Sequence, residues 1–202
     1  MCTLIPPGPG TPDDLQMARQ AVLEKVAATY DGLLYAIVDA AADEHLHDAI
    51  LAEPPQSCIT CLYDGMPAAR YARYAPYLMR VHAGSPLFQR WPHEGWQAHW
   101  GIFLISRLPA PALKRHLKRF LQARGDGGQR LWLRFYDPRV LPRLLAQFDP
   151  AHLGDWFYGH SILACLAPHP EGIWVGLAQR KFLDHVTGLA RLDNRQWEVS
   201  SP

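Results

Sequence analysis

The sequence lacks an excess of charge of either sign. Its 202 residues contain 20 Lys and Arg against 19 Asp and Glu, which gives a formal net charge of +1. A nearly neutral chain has no general attraction for nucleic acid or for an anionic membrane. The sequence also has no apolar run long enough to cross a bilayer. We therefore expect neither a nucleic acid nor a membrane as partner.

Cysteine is scarce as well. The chain has 4 Cys, too few for a disulfide scaffold. Cys58 and Cys61 form only half of a zinc signature, and no second pair of ligands follows them, so we predict no metal site and no cofactor. Residues 1–10 lack the basic and apolar regions of a secretory signal. Together these features indicate a cytoplasmic protein.

Common catalytic signatures are missing too. The sequence contains no Walker loop, no GxGxxG fingerprint and no GxSxG nucleophile elbow. Hydrophobic residues make up 49% of the chain, which is enough to build a full core. The expectation is a globular protein that is not an enzyme.

What the sequence does contain is a regular alternation of apolar runs and helical segments. The apolar runs cover residues 33–39, 57–63, 100–106 and 131–136. Amphipathic stretches lie between them, and one of these is predicted to be a helix from Pro67 to about Val81. This alternation is typical of β-α-β units, whose right-handed crossovers make the strands parallel. We predict an α/β fold with a mostly parallel sheet of about four strands and helices on both faces.

The two ends of the chain differ from this central pattern. Residues 1–12 hold four Pro and two Gly and are predicted to be a flexible arm, followed by the α/β domain over residues 13–160. Residues 161–202 are predicted to add a C-terminal hairpin and a helix from Gln179 to about Asp193, packed on the same domain. We expect the hairpin to offer an open edge to which a partner strand can pair.

Three acidic residues, Asp39, Asp64 and Asp137, end three of the predicted strands. Ligands of open α/β sheets bind at the carboxyl ends of the strands, and carboxylates gathered there suit Mg²⁺ and phosphoryl chemistry. A metal-dependent phosphoesterase is therefore the alternative functional hypothesis. The same residues also suit turns and helix caps, because Gly65 follows Asp64 and Pro138 follows Asp137. We prefer this structural interpretation.

Aromatic residues are concentrated in two places. Trp91, Trp96 and Trp100 lie within ten residues of one another, and Trp156, Phe157 and Tyr158 are consecutive. Three consecutive aromatic side chains cannot all face one core, and exposed aromatic residues favour protein interfaces. The residues that we predict to bind a partner through these clusters are Trp91, Trp96, Trp156, Phe157 and Tyr158.

Arginine dominates the basic residues, and two segments rich in basic residues stand out. Arg134 lies in a predicted strand among large apolar neighbours, so it needs a carboxylate partner, for which Asp39 and Asp137 are candidates. We expect Arg134, Asp137 and Arg139 to form an ion cluster. The second segment is a basic stripe of Lys114, Arg115, Lys118 and Arg119, which we interpret as the solvated side of an amphipathic helix rather than as a nucleic-acid site.

Residues 134–139 resemble the most distinctive motif of a known family, the type VI secretion effector chaperones or adaptors. The six residues of this motif are Arg134, Phe135, Tyr136, Asp137, Pro138 and Arg139. Three weaker matches precede it in the expected order. They are residues 34–40, then 62–65 with 75–78, then 94–96 and 100–104 with 116–121. Together the matches cover roughly residues 33 to 150.

The resemblance implies a non-enzymatic adaptor. Such proteins bind a toxic effector in the donor cytoplasm and load it on the tip of the VgrG spike protein. We expect the N-terminal segment of the effector to be the bound part. The motif of the family has no catalytic residues, so Arg134, Asp137 and Arg139 are expected to define the fold first and to contact partners second.

Overall fold

The computed structural model describes residues 12–125, 127–169, 172–178 and 185–191. The strands are β1 (Leu33–Asp39), β2 (Thr60–Cys61), β3 (Pro76–Arg80), β4 (Gly101–Ser106), β5 (Gln122–Arg124), β6 (Arg130–Trp132), β7 (Ile162–His169), β8 (Gly172–Ala178) and β9 (His185–Arg191). The α-helices are α1 (Pro12–Thr29), α2 (Leu46–Leu51), α3 (Gly65–Arg70), α4 (Pro86–Arg90), α5 (Ala110–Leu117), α6 (Leu141–Leu145) and α7 (Pro150–Trp156). A short π-helix, Trp91–Gly95, continues α4.

Seven of the strands form one sheet, in the order β2-β3-β1-β4-β7-β8-β9, while β5 and β6 form a separate pair. Every neighbouring pair in the large sheet is antiparallel. The prediction of a mostly parallel sheet of about four strands is therefore wrong. The alternation of apolar runs and helical segments favours parallel strands joined by crossovers, but here the helices cover both faces of an antiparallel sheet.

Alternate residues of each central strand point into two different cores. In β1, Ala36 and Val38 belong to the first core, and Tyr35 and Ile37 belong to the second. The first core is completed by α1, α2, α4 and the π-helix, and the second by α5, α6, α7 and the segment between β6 and α6. The sheet is thus the middle layer of three.

Three predicted elements differ from the structure. The apolar run 57–63 forms a strand only at Thr60–Cys61. The helix predicted from Pro67 to about Val81 ends early, and its last part is the strand Pro76–Arg80, because this segment pairs with both β1 and β2. The predicted fourth strand, 131–136, contributes only to β6, which lies outside the large sheet. In each case tertiary pairing overrides local propensity.

The tail confirms the predicted hairpin but not its open edge. Strands β7 and β8 pair from Ala164 opposite Leu177 to His169 opposite Gly172. However, β7 also pairs with β4 and β8 also pairs with β9, so both hairpin strands are internal. The predicted final helix is wrong over the described residues, since His185–Arg191 is the strand β9. The rest of that helix, and residues 1–11 of the predicted arm, lie outside the described residues.

Candidate functional site

The segment from Arg134 to Arg139 forms a tight turn on the second core. The N–H of Asp137 donates to the carbonyl of Arg134 at 3.0 Å. Phe135 and Tyr136 are buried, and the ring of Phe135 packs edge-on against Trp156 with centroids 5.3 Å apart. The two aromatic residues therefore anchor the turn, while Arg134 and Arg139 remain at the surface.

Arg134 reaches back to the end of β1. Its guanidinium forms an ion pair with Asp39, whose carboxylate is only 1% exposed, while the Arg134 side chain is 49% exposed. Asp39 also accepts the N–H of Ala41 at 3.1 Å and so caps the turn after β1. Burial lowers the pKa of Arg134, but the hydrogen bond to Asp39 and its charge outweigh this effect and raise the pKa above its usual value.

Arg139 pairs with the second buried carboxylate, Asp137, which lies within the turn itself. Its Nε and Nη2 donate to the two oxygens of Asp137 at 2.9 and 2.6 Å, and its backbone N–H donates to the same side chain. Burial raises the pKa of Asp137, yet these hydrogen bonds from Arg139 lower it by more, so the pKa lies below its usual range. The structure pairs Arg134 with Asp39, one of its two predicted partners, and Arg139 with Asp137, as two ion pairs rather than the expected single cluster. The prediction of Arg134 inside a strand is wrong, because the residue follows β6 and is exposed.

The third strand-end residue, Asp64, lies at the start of α3 and faces α5. Lys114 Nζ lies 2.7 Å from one of its oxygens, and Lys118 contacts the other. Hydrogen bonds from these two lysines lower the pKa of Asp64 to about 2. Each of the three aspartates that could have held a metal ion thus already has a basic partner. Within the described residues, no group of three or more His, Cys, Asp and Glu side chains is arranged to hold a metal ion.

The basic stripe on α5 and the turn after it is largely engaged in ion pairs. Besides the two lysines on Asp64, Arg119 contacts Asp155 of α7 at 2.6 Å. Arg115, which lies on α5, is exposed. The stripe therefore joins α5 to α3 and α7 at the surface, in agreement with the interpretation of a solvated helix side.

The first aromatic cluster is part of the core. Trp91, Trp96 and Trp100 are all buried. The ring of Trp91 packs against Phe103 of β4 and against Trp100, with centroids 4.6 and 5.9 Å away. Trp96 Nε1 donates to the carbonyl of His169 at 2.8 Å. A partner that docks on the folded protein does not reach Trp91 or Trp96.

The second aromatic cluster is divided between core and surface. Trp156 and Phe157 are fully buried, whereas Tyr158 is 48% exposed. Helix α7 ends at Trp156, and Tyr158 then adopts a left-handed backbone with φ of 48° that turns its side chain outward. Its ring packs on His116 of α5 at 4.6 Å between centroids. Of this cluster, Tyr158 is the residue that a docking partner can contact.

Sequence reasoning missed a hydrogen-bonded chain that joins the buried Glu53 and Ser57 to the half-buried His82. The Ser57 hydroxyl donates to Glu53 Oε2 at 2.7 Å and lies 3.0 Å from His82 Nε2. His82 Nδ1 accepts the N–H of Gly84 at 3.2 Å, so the ring proton is on Nε2 and points to Ser57. A histidine that donates to the serine cannot take its proton, so the chain joins structural elements rather than activating a nucleophile. No sequence spacing signals it.

Sequence reasoning also missed the exposure of the β5–β6 hairpin. Leu131 and Trp132, predicted to lie in a buried strand, are 47% and 55% exposed. One side of Trp132 is covered by the ring of Tyr63, with centroids 5.0 Å apart. The run of apolar residues resembles a core strand, but within it only Phe135 and Tyr136 are buried.

A cleft of about 570 Å³ opens beside the start of α5. It is lined by Leu33 and Tyr35 of β1, by the segment before β2, and by Arg80 and Lys114 at its sides. Its lining is mostly apolar, and Tyr35 closes one side by donating its hydroxyl to the carbonyl of Leu108 at 2.9 Å. The cleft is separate from the Arg134–Arg139 turn.

The geometry defines an α/β domain with an antiparallel sheet between two helical layers and a surface turn fixed by two buried aspartates. The chain belongs to the family described as Domain of unknown function (DUF4123), whose profile matches residues 34–155. This family is associated with adaptors of type VI secretion effectors, which agrees with the resemblance stated above. Comparison with curated proteins and with solved structures gives no match. Within the described residues, no helix is both long enough and apolar enough to span a membrane.

Proposed function

We propose that this protein is a type VI secretion adaptor that binds a toxic effector in the donor cytoplasm and loads it on the VgrG spike tip. The observation that carries the proposal is the family match over residues 34–155, which includes the whole turn from Arg134 to Arg139. We also propose that the protein acts by binding alone, without catalysis.

One feature of the structure supports a binding role rather than a phosphoesterase. Asp39, Asp64 and Asp137 are paired with Arg134, with two lysines and with Arg139, so these carboxylates already have their counter-charges. We expect Mg²⁺ to leave the melting temperature unchanged. A true Mg²⁺ site would instead add about 2.7 kcal/mol of stability at a Mg²⁺ concentration of 100 times its Kd. A dose-dependent rise that Asp64→Asn removes would favour the phosphoesterase.

The direct test is co-expression with a VgrG spike protein and a candidate toxin chosen from the gene neighbourhood of this chain. We expect the affinity-tagged chain to co-purify with the toxin, and the toxin to reach the spike only when the chain is present. Failure of the wild-type chain to retain either protein would overturn the proposal.

The surface around Tyr158 is our candidate for effector contact. Tyr158→Ala removes an exposed aromatic anchor without opening the core, and we expect it to weaken toxin retention by roughly tenfold or more. Tyr74→Ala is the matched control, because Tyr74 is also an exposed tyrosine, in the turn before β3. Equal losses in both variants would place the effector elsewhere.

A further inference from the structure

The β5–β6 hairpin stands apart from the large sheet and has no third strand. It pairs Gln122–Arg124 with Arg130–Trp132, and in the described part of the chain no strand pairs with the outer edge of either. A two-stranded hairpin alone is only marginally stable in water. Its attachments to the domain include the N–H of Leu133, which donates to the carbonyl of Leu121 at 2.9 Å, and the packing of Trp132 on Tyr63.

The hairpin places two like charges directly opposite each other. Arg124 and Arg130 are cross-strand partners, and both are exposed. Like charges at directly opposed positions destabilise a strand pair. Among the described residues, no carboxylate forms a salt bridge with either arginine. The Arg139 and Arg134 side chains, in contrast, both have aspartate partners.

An exposed aromatic residue lies on the same face as this arginine pair. Because side chains alternate along a strand, Arg124, Arg130 and Trp132 share one face, with Gln122 opposite Trp132. Trp132 is 55% exposed although Tyr63 covers one side of its ring. As far as the described residues show, this face therefore combines positive charge without a carboxylate partner, a large apolar anchor and an adjacent open backbone edge.

We infer that the β5–β6 hairpin binds an extended acidic segment of a partner protein. Carboxylates of the segment pair with Arg124 and Arg130, an apolar side chain packs on Trp132, and its backbone adds to an open edge of the hairpin. A single-stranded nucleic acid is the competing ligand of similar chemistry, but the net charge of +1 gives the chain no broad basic surface to track a phosphate backbone. The inference rests on the proposed function only in taking the partner to be a protein.

The test uses a fluorescently labelled peptide of alternating Glu and Val with one central Trp, and its counterpart with Lys in place of Glu. Anisotropy titration of the full chain is expected to show salt-sensitive binding of the acidic peptide and none of the lysine peptide. Arg130→Glu should weaken the binding of the acidic peptide by at least about tenfold. The same substitution places a carboxylate opposite Arg124, so the melting temperature should stay equal or rise. Loss of binding with retained stability separates recognition from unfolding.

Arg143→Glu is the matched control, since it makes the same charge change at an exposed position on α6 and should leave peptide binding unchanged. Equal affinity of the wild type and Arg130→Glu, no binding of the acidic peptide, or tighter binding of oligothymidylate than of the peptide would each overturn the inference. Equal retention of toxin and spike by the wild type and by Arg130→Glu in the co-purification would refute this docking site. It would leave the adaptor function intact. A wild-type chain that binds the peptide but retains neither protein would refute the adaptor function instead.

Discussion

At the scale of single residues, the turn from Arg134 to Arg139 depends on carboxylates that are more buried than their basic partners. Asp39 and Asp137 lie almost completely out of solvent, whereas the side chains of Arg134 and Arg139 are about half exposed or more. A charged group held away from water is stable only while its partners remain in place. Removing either arginine would leave a buried carboxylate without its counter-charge, and this is the main contribution of the arginines to stability.

Arg134→Ala should lower the free energy of unfolding by about 1–3 kcal/mol, since it removes the basic partner of the buried Asp39. The side-chain exposure of Arg134 places this cost below that of breaking a fully buried pair. Urea unfolding gives the value. In an Asp39→Asn background no carboxylate charge remains to be stranded, and Arg134→Ala should cost less than half as much. Equal costs in the two backgrounds would show that Arg134 acts through packing instead.

The buried His116 predicts how stability changes with pH. Burial lowers its pKa, and nearby Arg119 lowers it further, against opposing effects of the Trp156 carbonyl and Asp155. Between the folded pKa and the unfolded value of 6.5, the unfolded chain binds more protons, so stability falls as the pH decreases through this window. His116 Nε2 lies 2.9 Å from the Trp156 carbonyl, to which the neutral ring donates.

We expect the melting temperature of the wild type to fall between pH 7.5 and pH 5.5 by more than that of His116→Gln, which is uncharged throughout and keeps an N–H donor. Differential scanning calorimetry at the two pH values measures the difference. Parallel behaviour of the two proteins would mean that other groups set the pH dependence in this range.

Much at this scale could be predicted from the sequence, and the remainder depends on where the chain turns. That an arginine among large apolar residues needs a carboxylate follows from charge burial alone, and Asp39 was one of two candidates. The exposure of Arg134 could not be inferred, because it depends on β6 ending at Trp132. The sequence predicts that three consecutive aromatic side chains cannot all face the core. Which of them is exposed depends on the left-handed backbone of Tyr158, which the sequence does not reveal.

At the scale of elements, the positions of the central strands were easier to predict than their directions. β1 and β4 lie where the apolar runs placed them. Strand direction depends instead on which segments pair, and β3 was hidden inside a predicted helix, so β1 was assigned parallel neighbours. With β3 present, β1 lies between two antiparallel partners, and β3 and β4 are joined across it by α4 and the π-helix.

Gly101 is the position where the β1–β4 pairing tolerates least change. Its φ is 153°, and a Cβ atom there would lie 1.8 Å from the carbonyl oxygen of Ile37. Because that atom belongs to the backbone of the central strand, neither side can move away without breaking the ladder. Gly101→Ala should therefore destabilise the protein by about 3 kcal/mol or more.

The matched control is Gly154→Ala within α7, where an added Cβ meets nothing within 4 Å. Alanine in a helix interior is favoured over glycine, so this variant should gain roughly 0.5–1 kcal/mol. Urea denaturation of both variants tests the pair. A stable Gly101→Ala protein would show that β1 and β4 separate at this point more easily than their geometry suggests.

At the scale of the whole molecule, the family segment is not the whole folding unit. The match ends at residue 155, but β7 begins at Ile162 and pairs with β4 in the middle of the sheet. Strand β8 adds Ile173 and Val175 to the first core, and α1 adds Val22 and Leu23 from the other side of the match. Both cores therefore include residues from outside the matched segment.

Residues 34–155 alone should consequently fail to fold cooperatively. Their isolation removes the strand opposite β4 and at least six buried side chains of the two cores, among them Leu163 and Leu166 of β7. Each buried aliphatic side chain contributes about 1.5–3 kcal/mol, so the loss is as large as the total stability of a typical domain, about 5–15 kcal/mol. We expect residues 34–155 to show weak near-ultraviolet circular dichroism and no sigmoidal urea transition, while the full chain shows both. A cooperative transition in residues 34–155 would instead mean that β4 can form a stable sheet edge, and that the tail strands were added to a domain already complete without them.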